Sequence, residues 1–134
     1  MAQRILTAKQ RHAWLVLEED GNVVGYAYAG TFNPRAAYRW ACEVSVYVEL
    51  GRRRRGSGRA LYKVLLPRLV ERGFRTAAAG MTLPNDASMG LHRAMGFEPM
   101  GVYRRIGFKH GVWHDVAWAQ RILAEGEDPP PEPS

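Results

Sequence analysis

A carboxylate inside an apolar stretch is the first residue in this sequence with a type and setting suited to chemistry. Glu43 is the one charged residue of the run at 41–48, which reads ACEVSVYV. Charged side chains rarely enter such a run without a partner or a chemical role. We therefore interpret Glu43 as a candidate general base. An exposed glutamate facing the edge of a sheet is the alternative, and it would be preferred if the loop that follows were absent.

That loop, at 51–59, reads GRRRRGSGR and lies between a predicted strand and a predicted helix. A strand, a glycine-rich loop and a helix direct backbone N–H groups and a helix dipole at one place, which suits a phosphate or pyrophosphate. Gly56 and Gly58 allow close approach of a ligand, and the arginines supply charge-assisted donors. The loop is neither the phosphate loop of nucleotide hydrolases nor a dinucleotide fingerprint, because the Lys-Ser or Lys-Thr pair and the third glycine are missing.

The positive charge of the chain has three possible explanations. The net charge is +6, and Arg52 to Arg55 are consecutive. Such a run is typical of a nucleic-acid patch, of a solvated loop or of a cradle for an anionic cofactor. Because the arginines lie between a strand and a helix and not in a terminal tail, we favour the cofactor and predict no nucleic-acid partner.

Length and composition predict one globular domain at 1–123, followed by a disordered acidic and proline-rich tail at 124–134. No apolar run is long enough to cross a membrane, and no secretory signal opens the chain, so we expect no membrane partner. A single cysteine, Cys42, cannot form an internal disulfide, which favours a cytoplasmic setting. The four histidines show no metal-binding spacing, and we predict no metal site.

The elements that must position Glu43 and the loop follow from hydrophobic periodicity. The start of the chain, 1–12, is expected to be weakly helical. A hairpin of strands at 14–17 and 23–30 is predicted around the turn Asp20-Gly21-Asn22. The strand at 41–48 and the helix after the loop come next, and Gly73 ends that helix. Further strands are predicted at 74–81, 100–106 and 113–123, with a helix from Asn85 or Asp86 to Met95.

Asn85 and His92 form a second pair of candidate residues. They are seven residues apart, two turns of the predicted helix, so they can share one face. The side chain of Asn85 is suited to capping that helix. A histidine at such a position is either a general acid or a packed, hydrogen-bonded residue, and the sequence does not decide between these.

Two motifs resemble those of the GNAT N-acetyltransferases. Arg53, Gly56 and Gly58 fit their acetyl-CoA loop, in which Arg or Gln is followed by two residues, Gly, one residue and Gly or Ala. The frame of their second motif is kept by Asn85, Ser88, Leu91, Gly96 and Phe97. Four segments are similar to the phosphinothricin acetyltransferase group and its relatives that acetylate methionine sulfone and sulfoximine: WLVLEEDGNVVGYAYAG, AYRWACEVSVYV, LPNDASMGLHRAMGF and GFKHGVWHDVAW.

The resemblance implies the fold class and the reaction. The fold would be α/β (α+β), the GNAT fold, with a central mixed, mostly antiparallel sheet flanked by helices. The activity would be transfer of acetyl from acetyl-CoA, as cosubstrate and without a metal, to the primary amine of a small amino-acid-like acceptor. Phosphinothricin, methionine sulfone and methionine sulfoximine are acceptors of this type. The physiological acceptor stays open.

The resemblance also implies roles for individual residues. Glu43 matches the base, and His92 stands where many members have the tyrosine that protonates the departing thiolate; Tyr103 or a solvent molecule are alternatives for that acid. The residues implied in cofactor binding are Val46, Tyr47, Val48, Arg53, Arg54, Arg55, Gly56, Ser57, Gly58, Arg59 and Asn85. Those implied in acceptor binding are Asn33, Arg35, Glu43, Val44 and Ser45.

One departure from the family concerns the start of the chain. Relatives begin with a strand and two helices before the segment that matches Trp14, whereas this chain has only a remnant of the second helix. We expect the usual first strand and first helices to be lacking, and with them one wall of the acceptor pocket. An exposed sheet edge favours pairing, and we expect a homodimer. A catalytically inactive acetyl-CoA-binding or dimerisation module is the alternative to an enzyme.

Overall fold

The computed structural model describes residues 3–7, 14–49, 56–126, 128 and 130–134. These residues form one seven-stranded sheet and two α-helices. The strands are β1 (Gln3–Thr7), β2 (Trp14–Glu19), β3 (Asn22–Thr31), β4 (Ala41–Val48), β5 (Thr76–Thr82), β6 (Glu98–Lys109) and β7 (Val112–Ile122), and the helices are α1 (Ser57–Glu71) and α2 (Asp86–Ala94). The expected mixed sheet flanked by helices is confirmed.

The strand order is β1-β2-β3-β4-β5-β7-β6. Only the β4–β5 pair among these strands is parallel, and the other five pairs are antiparallel. β7 returns between β5 and β6, so the last two strands of the chain are neighbours and β6 forms an edge of the sheet. A parallel pair needs a crossover connection, and α1 lies in the connection between β4 and β5.

The β2–β3 hairpin has the turn that the sequence predicts. Asp20 and Gly21 have φ angles of 53° and 83°, and both lie between the paired residues Glu19 and Asn22. Two successive positive φ angles are typical of the tight turn that matches the twist of antiparallel strands, and Asp-Gly is a preferred pair for it. The antiparallel hairpin is therefore confirmed, with longer strands than the sequence indicated.

The weakly helical start that we expected is wrong for Gln3–Thr7. This segment is strand β1, which pairs antiparallel with β2 and places Ile5 opposite Leu17. Ile5 packs against the core, and the Arg4 side chain forms an ion pair with Glu18 at 2.9 Å. β1 thus stands at the edge of the sheet where the resemblance implied a missing strand, and no described residue before β2 is helical.

The core lies between the sheet and α1. Every second residue of β4 faces the helix, so Cys42 and Val44 are each 1% exposed, and Leu61 and Leu65 of α1 are fully buried. Each such apolar side chain contributes about 1.5–3 kcal/mol by leaving water. The period of two directs Glu43 and the residues at 45 and 47 to the opposite face. Burial raises the pKa of the Cys42 thiol to about 12, so this thiol is protonated at neutral pH.

The C-terminal segment differs from the disordered tail expected from its composition. Its described residues, 124–126, 128 and 130–134, have no helix or strand, but its end lies against the body of the protein. The Trp40 indole N–H donates to the carbonyl of Pro131 at 2.8 Å, and Arg39 forms an ion pair with Glu132 at 2.7 Å. Composition identified the absence of regular structure, whereas the contacts depend on the fold. None of the described helices is long and apolar enough to cross a membrane.

Candidate active site

A cleft opens where β4 and β5 separate. The two strands pair only from Ala41 with Thr76 to Glu43 with Ala78, although β4 continues to Val48 and β5 to Thr82. Beyond Glu43, the backbone of β4 faces a cavity of about 180 Å³ instead of a neighbouring strand. The cavity is lined by Val46, Tyr47, Val48, Gly56, Gly58, Arg59, Asn85, Ala87, Ser88 and Leu91. The structure thus brings together seven of the eleven residues that the sequence assigned to the cofactor.

The N-terminus of α1 forms one end of this cleft. Gly56 occupies the N-cap position with φ of +73°, and no side chain caps the helix there. A helix N-terminus without a capping side chain leaves backbone N–H groups for a ligand. A Cβ on Gly58 would lie 2.8 Å from the Leu91 side chain, so this glycine permits close packing of α1 on α2. Arg53, Arg54 and Arg55 lie outside the described residues.

Ser57 carries a polar atom in need of a partner at the same helix end. Its side chain is 1% exposed, and its hydroxyl makes no hydrogen bond with any described residue. An unsatisfied buried hydroxyl costs about 1–3 kcal/mol. This hydroxyl is enclosed and Ser57 does not line the cleft, so the suitability of the first turn of α1 for an anionic group rests on its backbone N–H groups and the open space around Gly56.

The N-terminus of α2 forms the other side of the cleft. The Asn85 side-chain oxygen accepts a hydrogen bond from the Ser88 backbone N–H at 3.1 Å, so the predicted capping role is confirmed. Asn85, Ala87 and Ser88 all line the cavity. Two helix N-termini, each with a partial positive charge, therefore lie against one cleft.

His92 lies in the core and not among the residues that line the cleft. It is 3% exposed; its Nε2 accepts from the Tyr62 hydroxyl at 2.7 Å, and its Nδ1 donates to the Ser88 carbonyl at 2.7 Å. Burial lowers the pKa of His92, which keeps the ring neutral. Both ring nitrogens have partners within the fold, so the geometry favours the packed histidine over the general acid that the resemblance implied.

Glu43 lines a second and larger cavity, of about 710 Å³. It lies at the last paired position of β4 and β5, opposite Gly30 of β3 and Ala78 of β5. Burial raises the pKa of the Glu43 carboxyl, and none of the described residues forms an ion pair or hydrogen bond with it. A desolvated carboxylate without a counter-ion binds a proton more readily, which suits a general base.

The walls of the Glu43 cavity come from residues that the sequence did not single out for binding. They are Phe32, Ala78, Met100, Gly101, Val102, Tyr103, Trp118, Ala119 and Gln120. Apart from Tyr103, which was considered as an acid, these positions lacked any motif, because they come from the residue after β3 and from strands far apart in the chain. The period of two in β7 does place Trp118 and Gln120 on one face, but the pattern does not indicate which cavity that face lines.

The other four predicted acceptor residues do not line the Glu43 cavity. Asn33 and Arg35 line another cavity, of about 370 Å³, and the Asn33 side chain accepts from the Arg35 backbone N–H at 3.0 Å. The side chain of Val44 is buried in the core, which excludes contact with an acceptor. Ser45 is partly buried beside Tyr28, on the same face as Glu43. A contact between Val44 and an acceptor would therefore involve its backbone, and this assignment stays a prediction.

Metal binding was considered for the His, Cys, Asp and Glu side chains of the described residues. No group of three or more His, Cys, Asp or Glu side chains capable of holding a metal ion occurs among the described residues. The groups that the structure places at the two cavities are backbone donors of β4, the Glu43 carboxylate and the N-termini of α1 and α2.

The class of protein follows from the fold and from the similarity of the chain to known proteins. Residues 1–118 match the family described as acetyltransferase (GNAT) domain. The chain belongs to this family.

Three relatives are similar over most of the chain. A phosphinothricin N-acetyltransferase of Streptomyces viridochromogenes is 45% identical over 84% of this chain and 62% of its own length. An L-methionine sulfoximine/L-methionine sulfone acetyltransferase of Pseudomonas paraeruginosa is 37% identical over 87% of this chain and 68% of its own length. The structure of a GNAT superfamily phosphinothricin acetyltransferase from Sinorhizobium meliloti in complex with AcCoA has a TM-score of 0.80, with 40% identity, 92% coverage of this chain and 66% of that chain. The chain thus spans about six tenths of the first of these relatives.

Proposed function

We propose that this protein is an acetyl-CoA-dependent N-acetyltransferase that acts on the primary amine of a small amino-acid-like acceptor. The observation that carries the proposal is the separation of β4 and β5 beyond Glu43, with the end of α1 at the same cleft. A thioester carrier with a diphosphate fits this arrangement, because an extended arm can bind along β4 while its anionic group lies at the helix N-terminus.

The residues that hold the cofactor follow from the cleft. The first turn of α1 binds the diphosphate through backbone N–H groups, including that of Ser57, and through Arg59, with Gly56 leaving room for it. The backbone of Val46 to Val48 has no neighbouring strand on the cleft side and binds the arm, and Asn85 faces the arm from α2. We assign the arginines at 53–55 to the same anionic group. The cofactor supplies an activated acetyl thioester.

Glu43 acts on the acceptor amine. An amine is protonated near neutral pH, so it must lose a proton before its nitrogen can form a bond to the acetyl carbon as the carbon–sulfur bond breaks. A positioned base of this kind contributes roughly 10²–10⁴-fold. Backbone N–H groups of β4 near Val46 stabilise the charge that develops on the carbonyl oxygen, a type of contact that is worth about 3–4 kcal/mol in other enzymes. The thiolate takes its proton from Tyr103 or solvent, since His92 is enclosed in the core.

The Glu43 cavity indicates the kind of acceptor. Its lining is aromatic and aliphatic apart from Glu43, Gln120 and the Tyr103 hydroxyl, and no lysine or arginine is among the described lining residues. Acceptors with an uncharged side chain, such as methionine sulfone and sulfoximine, fit this lining better than phosphinothricin, whose phosphinate is anionic. Asn33 and Arg35 are the groups we assign to the carboxylate of the acceptor; they line the cavity of about 370 Å³ together with the end of the chain.

A free-thiol assay tests this function. Purified protein, acetyl-CoA and each of the three acceptors are mixed, and release of the CoA thiol is followed with a chromogenic disulfide. We expect release with at least one of the acceptors, with methionine sulfone faster than phosphinothricin at equal concentration. If calorimetry shows that acetyl-CoA binds, but no thiol is released from it with any of the three acceptors, the protein is an inactive cofactor-binding module.

The assembly we propose is a homodimer in a reducing cytosol. β6 is an edge strand, and the β6–β7 hairpin exposes a set of large apolar side chains, each at least 50% exposed: Met100, Val102, Tyr103, Ile106, Phe108, Val112 and Trp113. A surface of this kind is typical of a protein interface. Light scattering should give twice the mass of 15.1 kDa. Ile106→Asp should give the monomer, whereas Val23→Asp, which changes an equally exposed residue of β3, should not.

A further inference from the structure

The C-terminal proline-rich segment contacts the body of the protein through three different kinds of group. The Trp40 indole N–H donates to the Pro131 carbonyl at 2.8 Å, and the Arg39 guanidinium contacts the Glu132 carboxylate at 2.7 Å. The Ser134 backbone N–H donates to the carbonyl of Arg72, just after α1, at 2.8 Å. The indole N–H, the guanidinium and the carbonyl at the end of α1 therefore each bind one of the last four residues of the chain.

Trp40 and Arg39 are held in place independently of the segment. The Trp40 backbone carbonyl accepts from the Arg75 and Thr76 N–H groups at 2.8 and 3.3 Å, which ties it to the start of β5. The Arg39 guanidinium stacks on the Trp40 ring at 4.5 Å. Because the guanidinium is already restricted by stacking on the indole, it loses less conformational entropy when it binds a carboxylate. The two side chains therefore form a preformed site.

The end of α1 completes a groove. Gly73 has φ of +98°, and a Cβ there would lie 3.3 Å from the Cα of Pro133. The absence of a side chain thus lets Pro133 approach the end of the helix, while the Ser134 N–H satisfies one of the carbonyl groups that a helix leaves free at its C-terminus. Glu132, Pro133 and Ser134 of the segment line the cavity of about 370 Å³ together with Tyr38 and Phe74, so the segment shares this cavity with the acceptor residues assigned above.

We propose that this groove, formed by Trp40, Arg39 and the residues at 72–74, is a binding site for an acidic proline-rich segment, and that residues 130–134 of the same chain occupy it. Proline-rich chains are extended and stiff, carry free carbonyl oxygens, and lose little entropy on binding aromatic donors. The charges are also complementary. The last eleven residues hold four of the thirteen acidic residues of the chain and none of its nineteen lysines and arginines.

The proposal concerns recognition of the segment and does not depend on the acetyl transfer. Heteronuclear NMR on the full-length protein follows the indole N–H groups of its four tryptophans. The signal of Trp40 is identified by its loss in Trp40→Phe or, where that variant does not fold, by backbone-linked assignment. We expect this N–H to exchange with solvent at least tenfold more slowly than in a full-length variant with residues 130–134 replaced by Gly-Ser-Gly-Ser-Gly.

Matched substitutions separate recognition from general effects of the tail. Glu132→Arg should raise the exchange rate of the Trp40 indole at least threefold, and the pair Arg39→Glu with Glu132→Arg should restore it. Glu125→Gln removes a charge from the exposed start of the same segment and should change nothing. Unchanged signals from the other three indoles establish that each variant is folded.

Binding in trans is the final step of the test. A synthetic peptide PPPEPS added to the Gly-Ser variant should shift the Trp40 indole signal and slow its exchange, and PPPQPS should bind at least threefold more weakly. The proposal is overturned if the Trp40 indole exchanges equally fast with and without residues 130–134, or if the peptide leaves its signal unmoved at millimolar concentration.

Discussion

The cleft beyond Glu43 and the cavity that contains Glu43 lie at the same break in the sheet but are built in different ways. The cleft, of about 180 Å³, is lined by residues of the end of β4, the start of α1 and the start of α2, at 46–48, 56–59 and 85–91. The Glu43 cavity, of about 710 Å³, takes its walls from Phe32, just after β3, and from β4, β5, β6 and β7. The comparison teaches that a site at element ends can be predicted from local sequence, whereas a cavity between strands depends on how distant strands are placed.

Glu43→Gln tests the chemistry of the larger cavity and should have the largest effect. We expect kcat to fall by about 10²-fold or more, because the amide cannot take a proton, while the Kd for acetyl-CoA changes less than twofold. Steady-state kinetics and calorimetry measure the two quantities. Glu98→Gln, at an exposed position of β6, is the control and should retain full turnover.

The pH dependence of kcat/KM is a second test of Glu43 as the general base. Burial raises the pKa of this carboxyl above 4.5, so the unprotonated base is lost as the pH falls through the raised value. The same shift opposes folding above the ordinary pKa, so Glu43→Gln should not lower the melting temperature at neutral pH. A profile of kcat/KM whose acid limb is identical in the Gln variant would contradict the assignment of Glu43 as the base.

Gly56→Arg tests the cleft. The new side chain starts from open space at the end of α1 and fills the site assigned to the diphosphate, so we expect acetyl-CoA affinity to fall at least about 100-fold, or about 2.7 kcal/mol. Gly21→Arg is the matched control, because Gly21 also has a positive φ and open space around it but lies in the β2–β3 turn. Scanning calorimetry should find a similar loss of stability in both variants, because each places an arginine at a positive φ. Titration calorimetry should find lost acetyl-CoA binding only in Gly56→Arg.

Tyr62→Phe tests whether His92 is structural. Removing the hydroxyl leaves the buried His92 Nε2 without its partner, which should cost about 1–3 kcal/mol of unfolding free energy in urea. The lowered pKa of His92 means that the unfolded chain takes up a proton near pH 6.5 before the folded protein does, so stability should fall as the pH drops below that value. A loss of kcat without a loss of stability in His92→Gln would instead restore the general-acid role.

Gly80→Ala should produce the smallest effect, confined to the larger cavity. A Cβ at this position would lie 2.9 Å from the Trp118 ring, which lines the cavity, so the ring must shift. We expect KM for the acceptor to change severalfold and the Kd for acetyl-CoA to stay constant. Gly107→Ala, at a position of β6 with nothing within 4 Å, is the control. Equal KM values in both variants would show that Trp118 does not shape acceptor binding.

The parts of the fold that the sequence predicts are those with local causes. The β2–β3 turn follows from Asp20-Gly21, and the start of α2 follows from the side chain of Asn85, which needs only a neighbouring backbone N–H. β1 could not be predicted, because five residues at a sheet edge are ordered by pairing with β2 and not by their own propensity. The docking of the tail on Trp40 is likewise a tertiary effect.

The same distinction holds for the candidate site. The place of Gly56 and Gly58 at the start of a helix could be predicted from the local sequence, since it depends on the backbone around them. The place of Trp118 beside Glu43 could not, because it requires β7 to return between β5 and β6. The packing of His92 against Tyr62 also joins residues thirty positions apart, and no periodicity within α2 reveals that contact.

The three-residue pairing of β4 with β5 has a mechanical consequence. The sheet consists of two parts, β1–β4 and β5–β7, and direct hydrogen bonding between them is limited to 41–43 and 76–78. Glu43 is at the end of this joined stretch, so its backbone is held by a strand on each side. The cleft begins where the joined stretch ends, so the same short pairing both anchors the carboxylate and leaves the rest of β4 without a partner on that side.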